Sequence, residues 1–136
     1  MTSACPFCAP AEDEIALRND RCYARLDRYP ISKGHLLIIP FRHEPSVFLM
    51  TAEEQAAALD LISQARSKLD SDYHPDGYNV GINIGEAAGQ TVAHAHIQVI
   101  PRYAGDVPDP RGGVRFVIPD KARYWKTPAG NKPTST

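Results

Sequence analysis

With 136 residues and a mass of 15.0 kDa, the chain has the length for one domain around one buried core. Hydrophobic residues make up 43% and charged residues 23%, and a formal net charge of -1 supplies no global field to recruit nucleic acid or an anionic membrane. No apolar run approaches the roughly 18–20 residues of a membrane span, and Met1 to Pro6 lacks the basic start and apolar stretch of a secretory signal.

Three cysteines, an odd number, argue against a disulfide framework, so the expected setting is reducing and cytoplasmic. The first informative group is Cys5-Pro6-Phe7-Cys8. Such a pair is a redox dithiol, half of a metal site, or coincidence. The redox form needs a preceding strand, for which the four residues before it leave no room. A zinc site needs two more ligands, and the chain offers His35, His43, His74, His94 and His96. The spacing favours metal without choosing among these histidines.

Ile15–Leu17 and Cys22–Leu26 flank an Asn19-Asp20 turn and predict a hairpin, with Cys22 a buried cysteine. His35 to Ile39, bounded by Gly34 and Pro40, is apolar enough for a buried strand. Thr51-Ala52-Glu53-Glu54 fits a capping box, and Ala58, Leu61, Ile62, Ala65 and Leu69 then recur at helical spacing. His74-Pro75-Asp76-Gly77 leads out of that helix into two further strands, Tyr78–Ile84 and Val92–Ile100. Beyond Pro101, the residues Pro108, Pro110, Gly112, Gly113 and Pro119 predict irregular chain, ending in a loose tail over 127–136. The fold class is α+β, one antiparallel sheet with one main covering helix.

The segment Ala93-His94-Ala95-His96-Ile97-Gln98 carries the strongest chemical signal. Read as a strand, it puts His94, His96 and Gln98 on one face and Ala95, Ile97 and Val99 on the other. A solvated surface needs only Lys, Glu or Thr, so two histidines there favour a functional site. The loop Gly85-Glu86-Ala87-Ala88-Gly89-Gln90 before it is suited to bringing amide donors close to a phosphate.

Taken with Pro101-Arg102 and with Pro30-Ile31-Ser32-Lys33-Gly34-His35-Leu36-Leu37-Ile38-Ile39-Pro40, this segment resembles the histidine triad superfamily, from about Cys5 to Asp106. The third histidine of the triad is Gln98 here, a form similar to the galactose-1-phosphate uridylyltransferase branch and to certain dinucleoside polyphosphate phosphorylases. The resemblance implies that His96 forms a covalent nucleotidyl intermediate and that Gln98 bonds the phosphoryl oxygens. It implies that Asn83, Gln90 and Thr91 surround the phosphates, that Asp27 binds ribose and that Leu37 lines the base pocket. It also implies a structural zinc on Cys5, Cys8, His43 and His94, and a structural role for His35.

The implied activity is hydrolysis of a dinucleoside polyphosphate such as diadenosine tetraphosphate by a homodimer. A transferase or phosphorylase that uses phosphate or a phosphorylated acceptor is the alternative, and a non-catalytic zinc-stabilised binding module the third. The domain is expected over 1–106, with 107–136 an irregular segment packing on it or gating it. Arg111 and Arg115 in that segment are either part of a proline-stiffened connection or a clamp for distal phosphates.

Overall fold

The computed structural model describes residues 4–126. Its five strands, β1 (Leu17–Arg18), β2 (Cys22–Leu26), β3 (Leu36–Pro40), β4 (Gly77–Ile82) and β5 (Ile97–Arg102), make one antiparallel sheet in the order β1-β2-β3-β5-β4. Asn19 shapes the β1–β2 hairpin, as its residue type predicts. Its Oδ1 accepts from the N–H groups of Arg21 and Cys22, at 3.1 and 2.9 Å.

One long helix, α1 (Ala52–Tyr73), covers one face of the sheet. It begins at the predicted capping box: Thr51 Oγ1 accepts from the Glu54 N–H at 3.1 Å, and Glu54 Oε1 accepts from the Thr51 N–H at 2.8 Å. The Arg42 guanidinium bonds the same carboxylate at 2.8 Å. That side-chain bond, with the Thr51 amide behind it, pulls the buried Glu54 carboxyl down to about 2. The helix ends at His74 in the left-handed region, φ 52°.

Ala58, Leu61, Ala65 and Leu69 are buried against Cys22, Ala24, Leu36, Ile38, Ile97 and Val99. Ile62 of the predicted stripe is only partly buried. Gly34 sets how closely the helix end approaches. A Cβ there would stand 2.8 Å from Leu69 Cδ2, and its φ of +87° suits glycine alone. On the opposite face, Phe7 folds over Tyr23, Leu37 and Ile39. β3 is therefore buried on both sides, which its unbroken apolar run predicts.

Two elements differ from the sequence expectation. The strand expected over Val92–Ile100 begins at Ile97 and runs to Arg102, so His94 and His96 lie on the segment entering β5. The cause is local. Paired residues run from Leu36↔Val99 to Ile38↔Ile97 and stop. The Pro40 carbonyl accepts instead from the His94 ring, at 2.7 Å, and the Ala95 N–H donates to Glu44 O, at 2.7 Å. The second is the chain after β5, expected to be irregular. It forms a 3-10 turn, Gly113–Val117, and a short helix, α2 (Pro119–Ala122). The tail expected over 127–136 lies outside the described residues. No helix among the described residues is long and apolar enough to cross a membrane.

Candidate functional site

The segment between β4 and β5 feeds two adjoining centres. At the first, Cys5, Cys8, His43 and His94 bring one ligand atom each to within 4.8 Å of one another. The edges of this group test its fit to a metal. Ordinary zinc bond lengths in a tetrahedron put two nitrogens about 3.4 Å apart, and sulfur and nitrogen about 3.6 Å apart. Here the two Nδ1 atoms of His43 and His94 are 3.2 Å apart, Cys8 Sγ is 3.2 Å from His43 Nδ1, and Cys5 Sγ and Cys8 Sγ are 3.4 and 3.6 Å from His94 Nδ1. The ring tautomer agrees. His94 Nε2–H donates to the Pro40 carbonyl, so Nδ1 keeps its lone pair for a cation. Burial lowers the His94 pKa, which keeps that ring neutral. Two thiols and two imidazoles are a donor set that zinc accepts.

The second centre is a hollow of about 390 Å³ beside the first. His96 and Gln98 line its floor, and Asp27, Leu37, Asn83 and Thr91 line its walls. His96 Nδ1–H donates to the His94 carbonyl at 2.9 Å, so Nε2 carries the lone pair. Phe7 packs edge-on against this ring, with centroids 5.1 Å apart. Gln98 is fixed by the buried His35. The Ile31 N–H donates to His35 Nδ1 at 3.2 Å, which leaves the proton on Nε2. That proton is donated to Gln98 Oε1 at 3.1 Å, with Asp27 Oδ2 at 3.5 Å. The Gln98 carbonyl is thereby occupied, and its NH₂ group remains for a ligand's oxygens.

Gln90, expected beside the phosphates, is the exception among the expected nucleotide-binding residues. Its side chain accepts from the Gly85 N–H at 2.8 Å and donates to the carbonyls of Pro45 and Val92 at 2.8 and 3.0 Å. The amide is committed to backbone and braces the loop, while Gly89, Thr91 and Val92 line the hollow. Several lining residues were missed from the sequence, Arg25 and Phe7 among them. Arg25, bonded to Glu14 Oε2 at 2.6 Å, faces the site from β2, and Phe7 lies inside the Cys-x-x-Cys pair. The two-residue alternation of Tyr23, Arg25 and Asp27 is the signal that could have placed Arg25.

An imidazole with Nε2 unprotonated, a glutamine held through its carbonyl and a hollow of about 390 Å³ on a five-stranded antiparallel sheet form an arrangement of one recognisable class. The HIT domain model matches residues 9–105, and the chain belongs to that family. It is 33% identical over 102 residues to an AP-4-A phosphorylase of Mycobacterium tuberculosis, a match covering 74% of this chain and 52% of the relative. It is 33% identical over 110 residues to an adenylylsulfatase of Arabidopsis thaliana, covering 78% of this chain and 56% of that protein. The chain thus spans about half the length of these two relatives. Among solved structures, a zinc-bound histidine triad family protein from Mycobacterium smegmatis matches with a TM-score of 0.67 and 29% identity, over 92% of this chain and 84% of that one.

Proposed function

We propose that the protein is a nucleotidyl hydrolase that cleaves a dinucleoside polyphosphate through a nucleotide bound covalently to His96. The observation that carries this reading is the His96 tautomer: Nδ1–H is held by a backbone carbonyl, and Nε2 is left as a nucleophile in the hollow. In the first step the Nε2 lone pair forms a bond to the α-phosphorus, and the bridging P–O bond breaks. The remaining polyphosphate leaves with that electron pair. In the second step water attacks the same phosphorus, the P–N bond breaks, its electrons return to Nε2, and the water proton passes to solvent. The Gln98 NH₂ donates to the phosphoryl oxygens as charge builds on them. Asp27, Asn83 and Thr91 line the same hollow, Asp27 to meet the ribose hydroxyls in this reading and the other two the phosphate oxygens.

Cys5, Cys8, His43 and His94 are the residues that would hold zinc. With four protein ligands the ion would have no open position and would supply bracing. His94 lies two residues from His96, so fixing its ring fixes the backbone carbonyl that sets the His96 tautomer. A homodimer and a cytoplasmic setting belong to the same proposal. Val80 and Ile82, exposed on the edge strand β4, are the surface that a second copy would cover.

The AP-4-A phosphorylase relative favours a second reading, in which phosphate replaces water in the second step. One experiment separates them: incubation with diadenosine tetraphosphate, with and without phosphate, and identification of the products. Hydrolysis yields AMP and ATP under both conditions. Phosphorolysis yields ADP and ATP, and only with phosphate. Gln98 also sets a preference, because a glutamine amide cannot protonate a leaving group. Polyphosphates leave as stable anions, whereas the amine of a phosphoramidate needs a general acid, whose help is typically worth about two to four orders of magnitude. Adenosine phosphoramidate turning over as fast as the polyphosphate would contradict this role for Gln98.

A further inference from the structure

A larger hollow, of about 990 Å³, adjoins the one that contains His96. Two features make them one continuous cleft. Ile31 lines both. Along the outward face of β5, Gln98 lines the first hollow, and Ile100 and Arg102 line the second. Alternate residues of a strand advance about 6.7 Å, so this row carries the cleft about 13 Å beyond Gln98.

The residues lining the second hollow include no histidine or cysteine. Its walls are largely carbon, from Ile31, Ile100, Val107 and Val114. Arg102 is neutralised: Asp106 takes it with two bonds of 2.7 Å, and Asn79 Oδ1 takes it at 2.6 Å. Lys33 also lines the hollow, and its ammonium makes no ion pair among the described residues. The cleft therefore offers an apolar bed with one uncompensated cation.

Val107 and Val114 lie beyond residue 105, where the family match ends. The segment is built onto the body. Gly113 meets β4 so closely that an added Cβ would stand 3.3 Å from Asn79 Nδ2. Behind it, Trp125 packs on Gly112, and the Arg111 guanidinium stacks 4.6 Å from the Trp125 ring centroid. Arg111 is bonded to Asp109 and Arg115 to the carbonyls of Ala122 and Lys121, so both serve the segment's own shape.

We infer that this second hollow is the leaving-group subsite, which takes the far nucleoside of a dinucleoside polyphosphate on the wall supplied by Val107 and Val114. Lys33 meets the distal phosphates as they pass Ile31, acting as a point charge. The inference rests on His96 marking the end of the cleft where the first nucleotide binds. The segment after β5 thereby acquires a role, the selection of substrates by what departs.

The test is calorimetric titration of the intact protein with AMP, ATP and a methylene-bridged, uncleavable diadenosine tetraphosphate. Val114→Glu and Lys33→Met are compared with the unaltered chain; Val114 is 60% exposed, so the folded state tolerates the change. The unaltered protein should bind the dinucleoside compound most tightly. Val114→Glu should weaken that binding about tenfold or more while leaving AMP within about twofold. Lys33→Met should weaken ATP and the dinucleoside compound but not AMP. Equal losses for all three ligands, no loss with Val114→Glu, or a dinucleoside compound bound no tighter than ATP by the unaltered protein would each overturn the inference, with AMP binding still intact. Failure of all three ligands to bind the unaltered protein would defeat the nucleotide reading itself, and this inference with it.

Discussion

Gln98→Glu is the sharpest single perturbation of the site, because it preserves shape and reverses one function. The His35 Nε2–H, 3.1 Å from Gln98 Oε1, would be accepted equally well by a carboxylate oxygen. The atom that changes is the other one, where an NH₂ donor becomes an anionic oxygen facing the phosphate. Loss of one such donor typically costs about two to three orders of magnitude in kcat. A like charge at about 4 Å adds on the order of 4 kcal/mol at an effective dielectric of 20, before screening. The expected result is a loss of about three orders of magnitude or more in kcat/KM for a dinucleoside polyphosphate. The thermal midpoint should stay within a few degrees, since the half-buried side chain keeps its partner. Steady-state kinetics and a melting curve on the same preparation decide it. A variant within about threefold of the unaltered rate would refute the assignment of the NH₂ group to the phosphate.

The proposed metal site predicts about one tightly bound zinc per chain by elemental analysis. Cys8→Ser should reduce metal content and lower the melting temperature together, because binding to the folded state is linked to folding. Zinc-free protein purified without chelator would contradict this. The Glu54 carboxyl predicts a pH effect of known sign. Its pKa is depressed from 4.5 to about 2, so its contribution is complete above about pH 4.5 and lost as pH falls through 2. Glu54→Gln should cost on the order of 2 kcal/mol at pH 7, and the gap should close in denaturant titrations toward pH 2. At the helix end, His74→Gly should be neutral or stabilising by about 1 kcal/mol or less, since glycine adopts the left-handed conformation without a Cβ penalty.

The parts legible in the sequence were those set by local chemistry. The Thr51…Glu54 capping box, the Asn19 turn and the apolar run at Leu36–Ile39 each form the element that their residue types dictate. The start of β5 was not legible. Alternation places His94 and His96 on a strand face, whereas their backbone leaves the ladder because the Pro40 carbonyl takes the His94 ring and the Ala95 N–H goes to the Glu44 carbonyl. The Pro40 carbonyl is 54 residues from its His94 partner in the chain, and no periodicity encodes such a bond. The misplacement left the grouping of His96 with Gln98 intact, since both still line one hollow. It separated His94 from them, and that separation brings its Nδ1 to the group formed by Cys5, Cys8 and His43. Gln90 and Arg25 show the same limit from opposite sides. One is a polar residue taken up by backbone, the other a charged residue whose place depends on strand register.

The most direct test of the central claim is a rapid-quench experiment with radiolabelled diadenosine tetraphosphate, followed by peptide mapping under conditions that preserve the phosphorus–nitrogen bond. The label should appear on His96 within the first turnover and decay at the rate of product release. His96→Ala should form no adduct and lose about three to four orders of magnitude in turnover while still binding nucleotide. A label on any other residue, or near-normal turnover by His96→Ala, would contradict the claim.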